Sequence, residues 1–151
     1  MSLKRSDRFK PIHNIAQQSE DVAAQTLGKI QRELSDHHLK LSELMKYYQD
    51  YTASYNQKAE QGMSIAQVQS YQKFISQLEI AISEQKKNIT RVTEACDSSR
   101  VDWTVERQKT QVLEKVITRY QKQEQQISNR QEQRQSDEHV TNQFWHKNKN
   151  T

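Results

Sequence analysis

Stepping alternately by three and four residues from Val68 lands on Tyr71, Ile75, Leu78, Ile82, Gln85, Ile89, Val92, Cys96, Ser99, Trp103, Glu106, Thr110, Leu113, Ile117, Tyr120, Glu124 and Ile127. Thirteen of these eighteen positions are apolar or aromatic in a chain that is only 32% hydrophobic, so the 3.5-residue period of a coiled coil is present. The first half repeats the pattern through Ala23, Leu27, Ile30, Leu34, His37, Leu41, Leu44, Tyr48, Tyr51 and Tyr55, with His37 the one interruption. Upstream, Ile12, Ile15 and Val22 stand one residue out of that frame, which predicts a looser or differently packed start.

Between the two runs lies a stop signal followed by a start signal. Gly62 suits the left-handed position just past a helix end, where a side chain would clash. Ser64 is placed to accept the Gln67 backbone N–H while the Gln67 side chain returns to the Ser64 N–H, a reciprocal helix cap. Met63 and Val68 bracket that cap as a hydrophobic staple. A short connection makes the two helices antiparallel neighbours.

The predicted fold is therefore all-α: a long two-helix antiparallel coiled-coil hairpin forming a single domain over residues 1–151. Helix 1 is expected over about 7–60, the turn over about 61–63 and helix 2 over about 64–140, followed by a flexible C-terminal tail. Folding back about Gly62 places residue 8 opposite residue 116, which leaves everything beyond about Ile117 without a partner in the chain. At roughly 1.5 Å per residue the paired part would be about 75–80 Å long. The unpaired part is rich in glutamine.

Composition narrows the chemistry. Gly28, Gly62 and Pro11 are the whole supply of glycine and proline, which excludes phosphate-binding glycine loops, nucleophile elbows and turn-rich β folds. Lys and Arg number 23 against 19 Asp and Glu, a net charge of +4 with the signs interspersed, as on a solvated helix face. No cluster of five or six cations marks a nucleic-acid arm, so no nucleic-acid partner is expected. A single cysteine, Cys96, cannot staple the fold, and no stretch is apolar enough to span a membrane. The N-terminal segment carries cations without an apolar signal region, and a cytoplasmic location is expected.

Heptad positions single out residues that the coiled coil itself does not need. With Leu41 at a and Leu44 at d, Tyr47 is a g position; with Val68 at a and Tyr71 at d, Phe74 and Ala81 are g positions as well. In an antiparallel pair g lies beside g, so Leu44, Tyr47, Tyr51, Phe74, Leu78 and Ala81 converge on one edge roughly 20 Å below the turn. Flanking positions of soluble coiled coils are usually Glu or Lys. The aromatics either cover a thin seam by packing on each other or form an exposed partner-binding patch. Cys96 and Trp103 read as seam residues, and His37 as a tolerated polar layer or a register device. Phe144 and Trp145 read either as an anchor into a partner or as part of an unstructured tail. The histidines have no metal-ligand spacing, so neither metal nor cofactor is expected. Two helices cannot enclose a water-excluded pocket, so no catalysis is expected.

The segment Leu39-Lys40-Leu41 through Tyr47-Tyr48-Gln49-Asp50-Tyr51, followed after the loop by Tyr71-Gln72-Lys73-Phe74-Ile75-Ser76-Gln77-Leu78-Glu79-Ile80-Ala81-Ile82, resembles the FliJ family of flagellar type III export proteins. The resemblance implies a fold similar to the coiled-coil part of the γ stalk in rotary ATP synthases. It implies a non-enzymatic stalk or coupling component that links the hexameric export ATPase FliI to the membrane export gate FlhA and assists export chaperones. Membrane association would be peripheral, through the gate, with the protein at the cytoplasmic face of the inner membrane and monomeric when alone. Gate-binding residues would carry over to Leu44, Tyr47, Tyr51, Phe74, Leu78 and Ala81, and the ATPase ring would be met by the paired chain ends, with Phe144 and Trp145 as candidate anchors. Two positions depart from the family pattern: Lys40 stands where glutamine is expected and Gln85 where histidine is. An injectisome-type secretion stalk and a general coiled-coil holdase or scaffold are the alternative readings.

Overall fold

A computed structural model of the chain describes residues 3–150. It consists of two helices, α1 (Arg5–Gln61) and α2 (Ile65–Lys149), packed against each other, with no strand among the described residues. The break between them is where the stop and start signals stand. Gly62 has a φ of 96°, in the left-handed region that an L side chain adopts only with strain, and its N–H reaches the Ala59 carbonyl at 3.4 Å. The Gln67 N–H donates to Ser64 Oγ and the Ser64 N–H donates to Gln67 Oε1, both at 3.2 Å, so the reciprocal cap forms as predicted.

The described chain divides into two compact units. One, Asp21–Thr104, contains the turn; the other joins residues up to Glu20 to those from Val105 onward. In the turn-containing unit the heptad frame is the burial pattern: every a and d position from Val68 to Trp103 is buried or half-buried. Its fully buried apolar residues are Leu27, Leu78, Val92 and Cys96. A polar layer interrupts them. Gln85 is buried, and its Nε2 donates to the His37 carbonyl at 2.9 Å while facing His37 Nδ1 at 2.9 Å. On its other side His37 Nε2 lies 3.7 Å from Glu33.

In the unit of paired chain ends the same frame continues, but through Ser6, Phe9, His13, Ala16 and Glu20 on α1. The start of α1 is thus in frame and, as the second of the two expected alternatives has it, differently packed. Polar and small side chains hold the seam, and Ile12 and Ile15 turn outward. Phe9 stacks on Tyr120 at 5.5 Å between ring centroids, and Arg5 lies 5.8 Å over the same ring. Glu124 accepts the Ser6 N–H at 3.1 Å and the Ser6 hydroxyl at 2.7 Å. A helix start leaves its first N–H groups without intrahelical partners, and here a carboxylate from the opposite helix satisfies one of them.

Three expectations are corrected by the structure. Pairing does not end near Ile117, because Tyr120 and Glu124 both find partners on α1, and α1 starts at Arg5 rather than about residue 7. Nor does α2 end near 140. It runs to Lys149, because no glycine or proline follows Gly62 and Gln, Glu, Lys and Arg dominate the segment, all favourable in helices. From Gln125 to Lys149 every residue is exposed.

Candidate functional site

The six residues selected by heptad geometry lie in the turn-containing unit, on α1 and α2, and the structure sorts them by depth. Leu78 is core; Leu44 and Ala81 are half-buried; Tyr47, Tyr51 and Phe74 are exposed. Position accounts for part of this: Leu44 and Leu78 occupy d, pointing into the seam, and Tyr47 and Phe74 occupy g beside it, while Tyr51 at d is exposed and the small Ala81 at g is half-buried.

Tyr51 and Phe74 pack on each other at 4.3 Å between centroids with a 38° tilt, close enough to gain aromatic pair energy beyond simple burial. The mutual packing expected of Tyr47 and Phe74 is instead made by Tyr51 and Phe74, and each of these two rings keeps an exposed face. Tyr47 goes further, with 57% of its surface exposed on the flank of this pair.

Sequence reasoning did not see how far the aromatic cluster extends toward the turn. Tyr71 lies 6.3 Å from Tyr51 and 5.9 Å from Tyr55, making a ladder of four rings with Phe74. The Tyr71 hydroxyl accepts from Lys58 Nζ at 2.8 Å and meets Ser54 Oγ at 3.4 Å, and the Lys58 ammonium lies 5.4 Å over the ring. The Lys58 hydrogen bond, then that of Ser54, holds the Tyr71 phenol below the usual tyrosine range. Tyr48, on the opposite edge, donates to Glu79 at 3.2 Å. The signal was available: Tyr55 and Tyr71 are seam positions, but tyrosine there reads as core filling, and only side-chain placement shows its hydroxyl reaching a cation.

Phe144 and Trp145 stand on the exposed C-terminal part of α2 with Val140 nearby, and all three are exposed. Adjacent residues point in directions about 100° apart on a helix, so Phe144 shares a face with Val140 and Trp145 does not. Among the described residues no group of histidine, cysteine, aspartate and glutamate side chains is placed to hold a metal ion. Among the described residues no helix is long and apolar enough to cross a membrane. What the arrangement offers is an aromatic surface carried on two paired helices.

Two comparisons with known proteins agree. The family described as "Flagellar FliJ protein" matches residues 5–149. A "Flagellar FliJ protein" of Salmonella typhi is 26% identical over 103 residues, covering 68% of this chain and 70% of the relative.

Proposed function

Because the chain belongs to the flagellar FliJ family, we propose that it is a non-enzymatic coupling component of the flagellar protein export apparatus, with Tyr47, Tyr51 and Phe74 as the centre of the surface that meets the export gate FlhA. The observation that carries this reading is the exposed aromatic edge on a seam whose core does not require it. Leu44, Leu78 and Ala81 form its floor, and burying such a patch against a partner removes apolar area from water at about 25 cal/mol per Å².

In this reading the paired chain ends seat in the ring of the export ATPase FliI, with Phe144 and Trp145 as anchors. A component that binds only the assembled ring shifts ring assembly by mass action. Export chaperones are further partners, contact with the membrane is made through the gate, and the protein works as a monomer at the cytoplasmic face of the inner membrane without a cofactor. The rings of Tyr51 and Phe74 hold each other in place, so little side-chain entropy remains to be lost on docking.

The test is binding of the wild type and of Tyr47→Ala with Phe74→Ala to the cytosolic domain of the gate, each protein matched for helicity by circular dichroism. The expected result is loss of gate binding with helicity intact. Undiminished binding by the double variant rejects the patch, and lost helicity assigns the two rings to the core.

A further inference from the structure

In the unit of paired chain ends, one side of the coiled coil is both apolar and cationic. Positions c and g of the two antiparallel helices share that side. They carry Ile12 and Ile15 from α1, 51% and 65% exposed, and Val105 and Val112 from α2, 42% and 59% exposed. Between the helices lies an open groove of about 500 Å³ lined by Ala16, Val105, Gln108, Lys109, Val112 and Leu113. The polar seam described above causes this: with Ser6, His13 and Glu20 inside, the β-branched residues that would normally fill the seam stand outside it.

Charge on this side has one sign. The c and g positions add Arg5, Arg8, Lys109 and Arg119, and the adjoining f positions add Lys4, Lys115 and Lys122. No aspartate or glutamate occupies c, f or g over residues 4–19 or 105–126. The carboxylates of the same stretches lie elsewhere. Asp7 pairs with Lys10 and Glu114 with His13 on the other side, and Glu124 is engaged by Ser6. Glu106, on the seam, reaches Lys109 at 3.4 Å, yet the Lys109 side chain remains 62% exposed.

We infer that this side is a docking groove for an amphipathic helix of another protein whose apolar stripe is flanked by carboxylates. Val105 and Val112 are two turns apart, the spacing at which a helix laid in a groove presents its anchors. A second copy of this chain does not fit, because it brings the same cations to the contact. Nor does the free C-terminal part of α2: over residues 128–149 Arg130, Arg134, Lys147 and Lys149 outnumber Glu132, Asp137 and Glu138. The complementary partner is acidic, and its carboxylates meet Lys109 and Arg119 while its apolar side chains cover Ile15 and Val112. This surface lies on the same paired chain ends that the proposed function seats in the ATPase ring, so it deepens and rests on that reading, and it does not depend on what the aromatic edge binds.

The probe is a fluorescein-labelled synthetic helix with leucines at i, i+3, i+7 and i+10 and glutamates flanking them, titrated with the full chain and followed by anisotropy. An otherwise identical peptide with flanking lysines is the comparison. The glutamate peptide is expected to bind, and its Kd to rise about tenfold or more in Ile15→Asp and in Val112→Asp. Lys109→Glu with Arg119→Glu is expected to reverse the preference toward the lysine peptide, a result that general stickiness does not produce. Tyr47→Ala with Phe74→Ala, in the other unit, is expected to leave binding unchanged, and circular dichroism checks the fold of every variant. Equal binding of the two peptides, no binding of either, or binding indifferent to the four groove positions overturns the inference. So does a dimer of the wild type in sedimentation that Ile15→Asp abolishes, since the groove is then an interface between copies.

Discussion

The contact between Ser6 and Glu124 shows how a single residue closes one end of the paired helices. Two hydrogen bonds from Ser6, the hydroxyl first and the backbone N–H second, hold the Glu124 carboxyl below the usual glutamate range. The sign follows from linkage. A carboxyl whose pKa is lowered on folding favours the folded form above its unfolded pKa, and that contribution fades as pH falls through the folded value. Pairing of the α1 start is therefore expected to be constant above about pH 4.5 and to loosen below it, with faster amide hydrogen exchange at Ser6 as the readout. Glu124→Gln is expected to remove the pH dependence, and persistence of that dependence in the variant assigns it to another group. Neither partner is conspicuous in the sequence. Ser6 looks like an ordinary helix-start residue, and Glu124 occupies a seam position where an acid reads as a defect.

At the scale of one helix pair, the His37–Gln85 layer is the feature that most separates pattern from structure. The heptads show His37 and Gln85 among their interruptions, but not that these two meet. In the structure Gln85 satisfies both a backbone carbonyl and a ring nitrogen of His37, so the layer is polar without being unsatisfied. Gln85→Leu is expected to lower stability by about 1–3 kcal/mol, because the His37 groups lose their donor while staying half-buried. His37→Leu with Gln85→Leu is expected to recover that loss or exceed it, at the expense of register specificity. Thermal melts by circular dichroism give the stabilities, and a double-variant melt lower than the single refutes the account. The turn, by contrast, was legible in full: Gly62, Ser64 and Gln67 act through backbone geometry and local hydrogen bonds, which involve residues three apart.

For the whole molecule, the last part of α2 has no packing to protect it, since every residue from Gln125 to Lys149 is exposed. Isolated helices in water are marginal, so this segment is expected to exchange its amide hydrogens quickly while Leu78, Val92 and Cys96 stay protected. Removing residues 128–151 is expected to shift the thermal midpoint by no more than a few degrees; a large drop shows that the segment stabilises the rest. By itself the sequence determined the helical class, the antiparallel pairing, the turn and the seam frame, because period and capping depend on residues a few positions apart. It also marked Tyr47 and Phe74 as unusual, since a g-position aromatic is unusual wherever the partner helix lies. Only the tertiary structure decided that pairing reaches Tyr120 and Glu124 and that Glu124 caps α1. It alone decided that Tyr71 joins the aromatic ladder through Lys58, and that the seam near the chain ends turns Ile12 and Ile15 outward. Each of these is a contact between residues far apart in the chain, fixed by the register of two long surfaces, and a shift of one or two residues would change every one of them.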